Sequence, residues 1–204
     1  MNLSGNKELL DRYLVAFFAS RTAPPEALDL AKRWAHEIAQ TDKIVISGFH
    51  SPIERAVLDI LLANGCSVVV ALGRSLYRKI PNHLQAAYDS NRVLFVSFRD
   101  NSRPSFPNSQ TRNWLTADLA SEVVFAPFDN SSQLSSLHYS IAHSSTPCTI
   151  LNKICTIHRW MMQMVIMAFS PYLLGFLPYF LLVSPYFNEI LLAVSRFLEF
   201  TRSA

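Results

Sequence analysis

Short apolar runs alternate with segments of helical periodicity over the first 150 residues of the chain. Each run is rich in β-branched or aromatic residues and is continuous rather than alternating, which is typical of strands buried on both faces. The runs are YLVAFFA from Tyr13, KIVISG from Lys43, CSVVVALG from Cys66, RVLFVSF from Arg92, EVVFAPF from Glu122 and CTIL from Cys148. The pattern predicts six buried strands.

The segments between these runs predict amphipathic helices. Pro25 to Gln40 carries apolar residues at three- and four-residue spacing, and Pro52 to Asn64 repeats this pattern with Gly65 as its C-terminal stop. Three helices with weaker periodicity are predicted at Pro81 to Asp89, Thr111 to Ala120 and Gln133 to His143. Strands that alternate with helices imply right-handed crossovers on one sheet. We therefore predict an α/β fold over residues 1–151, a Rossmann-like, doubly wound, mostly parallel sheet.

Residues 152–204 differ in character and predict an apolar helical tail. No charged residue occurs from Trp160 to Asn188, and this run is long enough to span a bilayer, although prolines and a glycine interrupt it. One interpretation is membrane contact through residues 160–200. The other is an apolar helical pair that packs on the domain or on a second copy of it, as in a homodimer. The pattern leaves both open.

Charge changes the picture only locally. The net charge of +3 is modest, yet the stretch from Arg74 to Arg112 holds seven basic and two acidic residues. Such an excess attracts a phosphate backbone if the fold gathers it on one face. The three cysteines lie in or beside apolar runs without a C-x2-C pair, which predicts core residues in a reducing compartment and no metal site. The first apolar run is too short for a secretory signal, so we expect a cytoplasmic protein.

In a parallel sheet, the loops at the carboxyl ends of the strands bind ligands. The first such loop contains Ser20 and Arg21 ahead of a helix, which suits a phosphate, although Ser20 or Thr22 could instead cap that helix. The second contains Ser47, Gly48 and His50, a candidate second wall; the alternative for His50 is a solvent-facing side chain, and for Glu54 a surface position on the helix.

The third loop places basic residues around Tyr77, which would suit a single strand and is also consistent with an ordinary basic loop. Its candidate residues are Gly73, Arg74, Arg78 and Lys79. Neither a GxGxxG fingerprint nor a P-loop is present, and no acidic residue orients Ser47 and His50 as a nucleophile and base. We therefore predict neither a cofactor nor catalytic residues.

Four segments, taken in order, carry a family resemblance. They are AFFASR, VISGFHSPIERAVLDILLANG, VVVALGRSLYRKIPNHLQAAY and FPNSQTRNWLTADLASEVVFAP. Together they resemble the DNA-processing protein A (DprA/Smf) family over about Tyr13 to Leu151. The chain departs from the family pattern at Glu54, within Ser-Pro-Ile-Glu where the family has Arg-Gly-Ile-Asp, and at Trp114, where the family has a second arginine.

The resemblance implies a non-enzymatic protein that binds and protects single-stranded DNA and helps to load the recombinase RecA in natural transformation, commonly as a dimer. The residues that match the family's phosphate-side motifs are Ser20, Arg21, Ser47, Gly48, Gly73, Arg112 and Asn113. Trp114 is expected to stack on a base. Two other functions stay open, a nucleotide phosphoribohydrolase-like enzyme and a membrane-tethered scaffold that binds nothing.

Overall fold

The computed structural model of the protein describes residues 1–98 and 106–152, with side chains described outside 106 and 107. The strands are β1 (Asn2–Gly5), β2 (Leu14–Phe18), β3 (Ile44–Ser47), β4 (Val68–Leu72), β5 (Val93–Ser97), β6 (Glu122–Phe125) and β7 (Cys148–Ile150). The helices are α1 (Ala27–Ile38), α2 (Pro52–Ala63), α3 (Asn82–Asp89), α4 (Phe106–Leu119) and α5 (Leu134–Ala142). A 3-10 helix spans Lys7–Asp11.

One sheet holds all the described strands, in the order β1-β5-β4-β3-β2-β6-β7. Every neighbouring pair is parallel except β1 with β5, which is antiparallel. The predicted fold class, a Rossmann-like and mostly parallel α/β sheet, is therefore confirmed.

Helices cover both faces of the sheet, which explains why its strands are continuous apolar runs. Buried side chains of α1, α2 and α3 share one core with one face of the strands, and there Phe17 stacks on Trp34 at 4.7 Å. Buried side chains of α4 and α5 share the other core, where Phe18 lies 5.4 Å from Phe125. Successive residues of β2 thus point into opposite cores, so the whole strand is buried.

Two elements differ from the sequence predictions. Strand β1 was not predicted, because its four residues NLSG carry no apolar run; its partner β5 holds it at the edge of the sheet. Helix α4 begins at Phe106 rather than at Thr111. Pro107 falls in its first turn, where a missing N–H removes no hydrogen bond from the helix.

The order of the strands reverses beside β2. From β2 the chain builds outward through β3, β4 and β5, and then returns to place β6 on the other side of β2. The helix after β2 packs on one face of the sheet and the helix after β6 on the other. The connections that leave neighbouring strands therefore diverge, and such a switch point opens a crevice at the strand ends.

Residues 153–204 lie outside the described residues, and so do the predictions made for them, including membrane contact through 160–200. The fold described above belongs to a compact unit of Met1–Leu151. Within residues 1–98 and 106–152, no helix combines the length and the apolar character needed to cross a bilayer.

Candidate phosphate-binding cavity

A cavity of about 560 Å³ lies at the switch point. We call it the switch-point cavity. Four segments line it: the loop after β2 (19–22), the loop after β3 with the start of α2 (50–54), part of α4 (109–114) and the loop after β6 with the start of α5 (131–137). It thus occupies the place where Rossmann-like sheets bind their ligands.

Glu54 ties the first two of these segments together. One carboxylate oxygen accepts a hydrogen bond from the backbone N–H of Ala19 at 3.2 Å. The other accepts from the N–H groups of His50 and Ser51, at 2.7 and 3.1 Å. The N–H of Glu54 in turn donates to Ser51 Oγ at 3.1 Å, which completes a capping box at the start of α2. The end of β2 and the loop after β3 are therefore fixed to one carboxylate.

The interpretation of Glu54 as a surface residue is wrong, since only 5% of it is exposed. Its neighbour Arg55 does lie on the exposed face of α2. The sequence carried a signal for this arrangement, because Ser51-Pro52-Ile53-Glu54 has the S-x-x-E spacing of a capping box ahead of an apolar run.

Arg112 lies on a buried stripe of α4 that is polar rather than apolar. Asn108, Arg112 and Thr116 are four residues apart, and at most 8% of each is exposed. Arg112 Nε donates to Asn113 Oδ1 at 3.0 Å, while Nη1 is buried and has no hydrogen-bond partner among the described residues. Arg112 of this stripe thus places a guanidinium at the wall of the cavity.

Gly48 makes room for this guanidinium. A Cβ built on Gly48 would collide with the guanidinium of Arg112, at Nη1 and Cζ and also at Nη2, which would be 2.8 Å away. The backbone of the loop after β3 therefore lies directly against the charged group. With Arg112 in this position, only glycine allows so close an approach.

The cavity holds more positive than negative charge. Burial lowers the pKa of Arg112, Glu54 raises it and Arg21 lowers it. A guanidinium nevertheless stays protonated in proteins, so this group is a buried cation. Among the described residues, one ion pair is closer than 4.0 Å. It joins Lys43 and Glu122, and neither residue lines the cavity. Among the described residues, Glu54 matches the charge of Arg112 at longer range.

His50 lines the cavity as a neutral side chain. Burial and the positive charges of Arg112, Arg21 and Arg55 lower its pKa from 6.5 to about 4. A neutral imidazole has one donor and one acceptor nitrogen, so at physiological pH His50 can take part in hydrogen bonding without adding charge. The side chain is half-buried in the wall of the cavity.

Hydroxyl and amide groups form a further part of the wall. Ser131, Ser132, Gln133 and Ser136 come from the loop after β6 and the first turn of α5. Ser132 Oγ accepts from the N–H of Leu134 at 3.3 Å and so orders the start of this helix. Such groups, together with two arginines, suit an anion with several oxygens.

The sequence of this chain matches a known protein family. The family model of DNA recombination-mediator protein A matches residues 1–144. The chain belongs to this family. The predicted resemblance is thereby confirmed, and the family's role is in DNA processing.

Solved structures of the family share the fold. DNA processing protein A from Helicobacter pylori, described for its single-stranded DNA binding mode, is 19% identical with a TM-score of 0.60, over 72% of this chain and 69% of that chain. DNA processing protein A from Streptococcus pneumoniae is 18% identical with a TM-score of 0.52, over 72% of this chain and 62% of that one. A comparison with curated protein sequences gave no significant match.

The fold of this family member brings together six of the residues predicted for the site. Ser20, Arg21, His50, Arg112, Asn113 and Trp114 all line the switch-point cavity. Ser20 does not cap α1, and neither does Thr22. That helix begins at Ala27 behind Glu26 without a side-chain cap, while Ser20 Oγ accepts from the N–H of Thr22 at 3.3 Å.

The other predicted residues lie outside the lining. Ser47 is fully buried and its Oγ accepts from the N–H of Phe49 at 3.3 Å, so it shapes the loop from below together with Gly48. A Cβ built on Gly73 would lie 3.5 Å from the backbone of Asn108 in α4, so this glycine faces that helix. The guanidinium of Arg74 lies over the ring of Tyr77 at 5.4 Å.

Arg78 and Lys79 are exposed on the loop after β4 and do not line the cavity. Arg99 and Arg103 of the predicted basic stretch lie outside the described residues. Of that stretch, Arg112 is the basic residue found among the described residues that line the cavity.

Two parts of the cavity were not predicted from the sequence, Glu54 and the wall contributed by α5. The sequence does carry a signal for the wall from α5, since hydroxyl residues that follow a strand and precede a helix repeat the pattern of the first loop. Among the described residues, no group of three or more His, Cys, Asp and Glu side chains is placed to hold a metal ion.

Proposed function

We propose that the protein binds single-stranded DNA and that a backbone phosphate enters the switch-point cavity. The observation that carries the proposal is Arg112, a residue of the cavity lining whose buried guanidinium lies against Gly48. Burying a cation without a close counterion is unfavourable, and an anion that enters the cavity would relieve this cost.

The surroundings of Arg112 support a phosphate in particular. Arg21 is exposed at the mouth of the cavity, and Ser20, Ser131 and Ser132 supply hydroxyl groups around it. Membership of a DNA-processing family fits a phosphate of a nucleic acid, and the relative from Helicobacter pylori has the same fold and a single-stranded DNA binding mode. Phosphate contacts of this kind set affinity without reading sequence.

The proposal extends to the later steps expected of a recombination mediator. The bound strand would be protected from degradation and passed to the recombinase RecA, with two copies of the protein acting as a dimer. Support for this part comes from the family alone. Assembly of RecA filaments on coated oligonucleotides, with and without the protein, is the measurement that addresses it.

A nucleotide-cleaving enzyme finds less support in the same cavity. Cleavage of the phosphoribohydrolase type calls for carboxylates free to act on the ribose. Glu54 is the one acidic residue among the described residues that line the cavity, and its two oxygens already accept three backbone N–H groups. Release of base from a panel of nucleoside monophosphates would revive this alternative.

The test is the salt dependence of binding to a fluorescent single-stranded oligonucleotide. Replacing Arg112 by Gln should lower affinity about tenfold at low salt and reduce the slope of log affinity against log salt by about 0.7, the change expected for one lost phosphate contact on a single strand. Arg33→Gln removes the same charge from an exposed position of α1 outside the cavity lining and serves as the control. Equal affinity and equal slope for Arg112→Gln and the wild type would overturn the proposal.

A further inference from the structure

Trp114 differs from the other exposed aromatic residues of the described fold. Tyr13, Trp114 and Tyr139 are 44%, 39% and 68% exposed. The ammonium of Lys43 lies over the ring of Tyr13 at 4.7 Å, and Tyr139 stacks on His143 at 4.3 Å. Trp114 has no such ring or cation partner among the described residues. An unpartnered indole at this exposure leaves a large apolar face in contact with water.

The same ring lies in the wall of the switch-point cavity, on the helix that carries Arg112. It is the one large aromatic side chain among the described residues that line the cavity. The cavity therefore combines cations, Arg21 and Arg112, with a flat apolar surface. A nucleotide has the matching parts, an anionic phosphate and a planar base.

We infer that Trp114 is a stacking platform for one base of the bound strand, so that the switch-point cavity takes a whole nucleotide unit and not only a phosphate. The inference rests on the proposed function and adds a base-binding residue to it. The volume of about 560 Å³ lies within the range of pockets that hold small organic ligands of this size. Stacking tolerates every base, because each presents a π face.

Stacking and phosphate contact respond differently to salt, which separates the two roles. A neutral ring releases no counterions, so Trp114→Ala should weaken binding about tenfold and leave the salt slope unchanged. Trp114→Arg replaces the ring by a cation and should raise the slope by about 0.7. Tyr139→Ala removes an exposed ring that does not line the cavity and should leave both affinity and slope unchanged.

Oligonucleotides with abasic sites test the contact from the side of the DNA. In the wild-type protein, removal of the bases should weaken binding by about the same factor as Trp114→Ala, and in the Trp114→Ala variant the loss of the bases should cost little more. Independent losses that multiply would overturn the inference, because they would show that the bases and Trp114 do not meet.

Fluorescence supplies a readout that a structural role of Trp114 would not change. Stacking should reduce tryptophan emission when the oligonucleotide binds. Trp114→Phe keeps a ring, so it should retain most of the affinity and lose the reduction in emission, while Trp34, stacked on Phe17, remains in both proteins. An equal reduction in both proteins would overturn the inference and leave the phosphate proposal, which depends on Arg112, untouched.

Discussion

Arg112 and Gly48 depend on each other, because the guanidinium occupies the volume that any side chain at position 48 would need. Gly73 offers a contrast within the same fold. A Cβ there would meet Asn108 and Ser109 at 3.5 to 3.6 Å, which is ordinary van der Waals contact. The two glycines therefore differ in role, although both follow a strand of the sheet. Gly48 leaves space that the guanidinium occupies, whereas position 73 has room for a Cβ.

Gly48→Ala should displace the Arg112 guanidinium and weaken oligonucleotide binding about as much as Arg112→Gln does. Overpacking at a buried site typically costs about 1–3 kcal/mol, so the free energy of unfolding should fall as well. Gly73→Ala is the matched control and should change both quantities little. Denaturant unfolding and the salt titration of binding measure the two effects; equal behaviour of the two variants would contradict the role given to Gly48.

His50 makes stability depend on pH. Its pKa is lowered from 6.5 to about 4, so between these values the unfolded chain binds a proton that the folded protein does not. The contribution is fully present above pH 6.5 and is lost as the pH falls toward 4. Because His50 is partly exposed, we expect this loss to be about 2 kcal/mol.

The measurement is the free energy of unfolding across that pH range, without DNA. His50→Gln should flatten the pH dependence relative to the wild type, since the variant has no imidazole to protonate. His83→Gln, at an exposed position of α3, is the control and should follow the wild type. If His50→Gln and the wild type lose stability in parallel, the environment described for His50 is wrong.

Individual residues were only partly predictable from the sequence. Arg21 was found because it follows the end of a strand, and Arg112 because it lies in a family-like segment. Glu54 was missed because a glutamate in the first turn of an amphipathic helix is usually solvated, and its burial follows from the approach of Ala19 from another strand. Local sequence patterns do not reveal contacts between segments that are far apart in the chain.

At the scale of elements, the start of α2 joins two strands of the sheet. Its capping box orients Glu54, and the carboxylate then reaches the end of β2. The helix is thus anchored at its first turn by hydrogen bonds as well as by its apolar face. The relative position of the loops after β2 and β3, and with it the shape of the cavity, depends on this turn.

Glu54→Gln should lower the free energy of unfolding by about 2–3 kcal/mol. The amide keeps one acceptor oxygen but places an NH2 group against backbone N–H donors, and hydrogen bonds to a charged acceptor are stronger than those to a neutral one. Asp59→Asn removes a carboxylate from an exposed position of the same helix and is the control. Denaturant unfolding of both variants would refute the anchoring role if their stabilities were equal.

Elements were predictable where burial is apolar. The six continuous runs gave the strands from β2 to β7; β2 to β5 are buried at every residue, whereas β7 is only partly buried. Strand β1 has no such run and is held by pairing with β5. Helix α4 showed weak apolar periodicity because Asn108, Arg112 and Thr116 occupy its buried stripe. The polar residues that suit this helix to the cavity are therefore also the reason that its full length was not predicted.

At the scale of the molecule, the described residues that line the cavity all belong to the unit of Met1–Leu151. We therefore expect a chain that ends after Asn152 to bind the oligonucleotide with the same salt slope as the full chain. Equal slopes in a salt titration of the two proteins would support this expectation. A lower slope in the shorter chain would show that the residues after 152 contribute charge to the DNA contact.

The walls of the switch-point cavity come from segments spread between residues 19 and 137. During synthesis on the ribosome, the arginines at 21 and 112 emerge before the serines at 131 and 132. A nascent chain therefore possesses its cations before its cavity is closed. We expect a ribosome-stalled chain that ends before α5 to bind an oligonucleotide weakly and a chain released in full to bind it tightly, so that capture of DNA begins only once translation of the domain is complete.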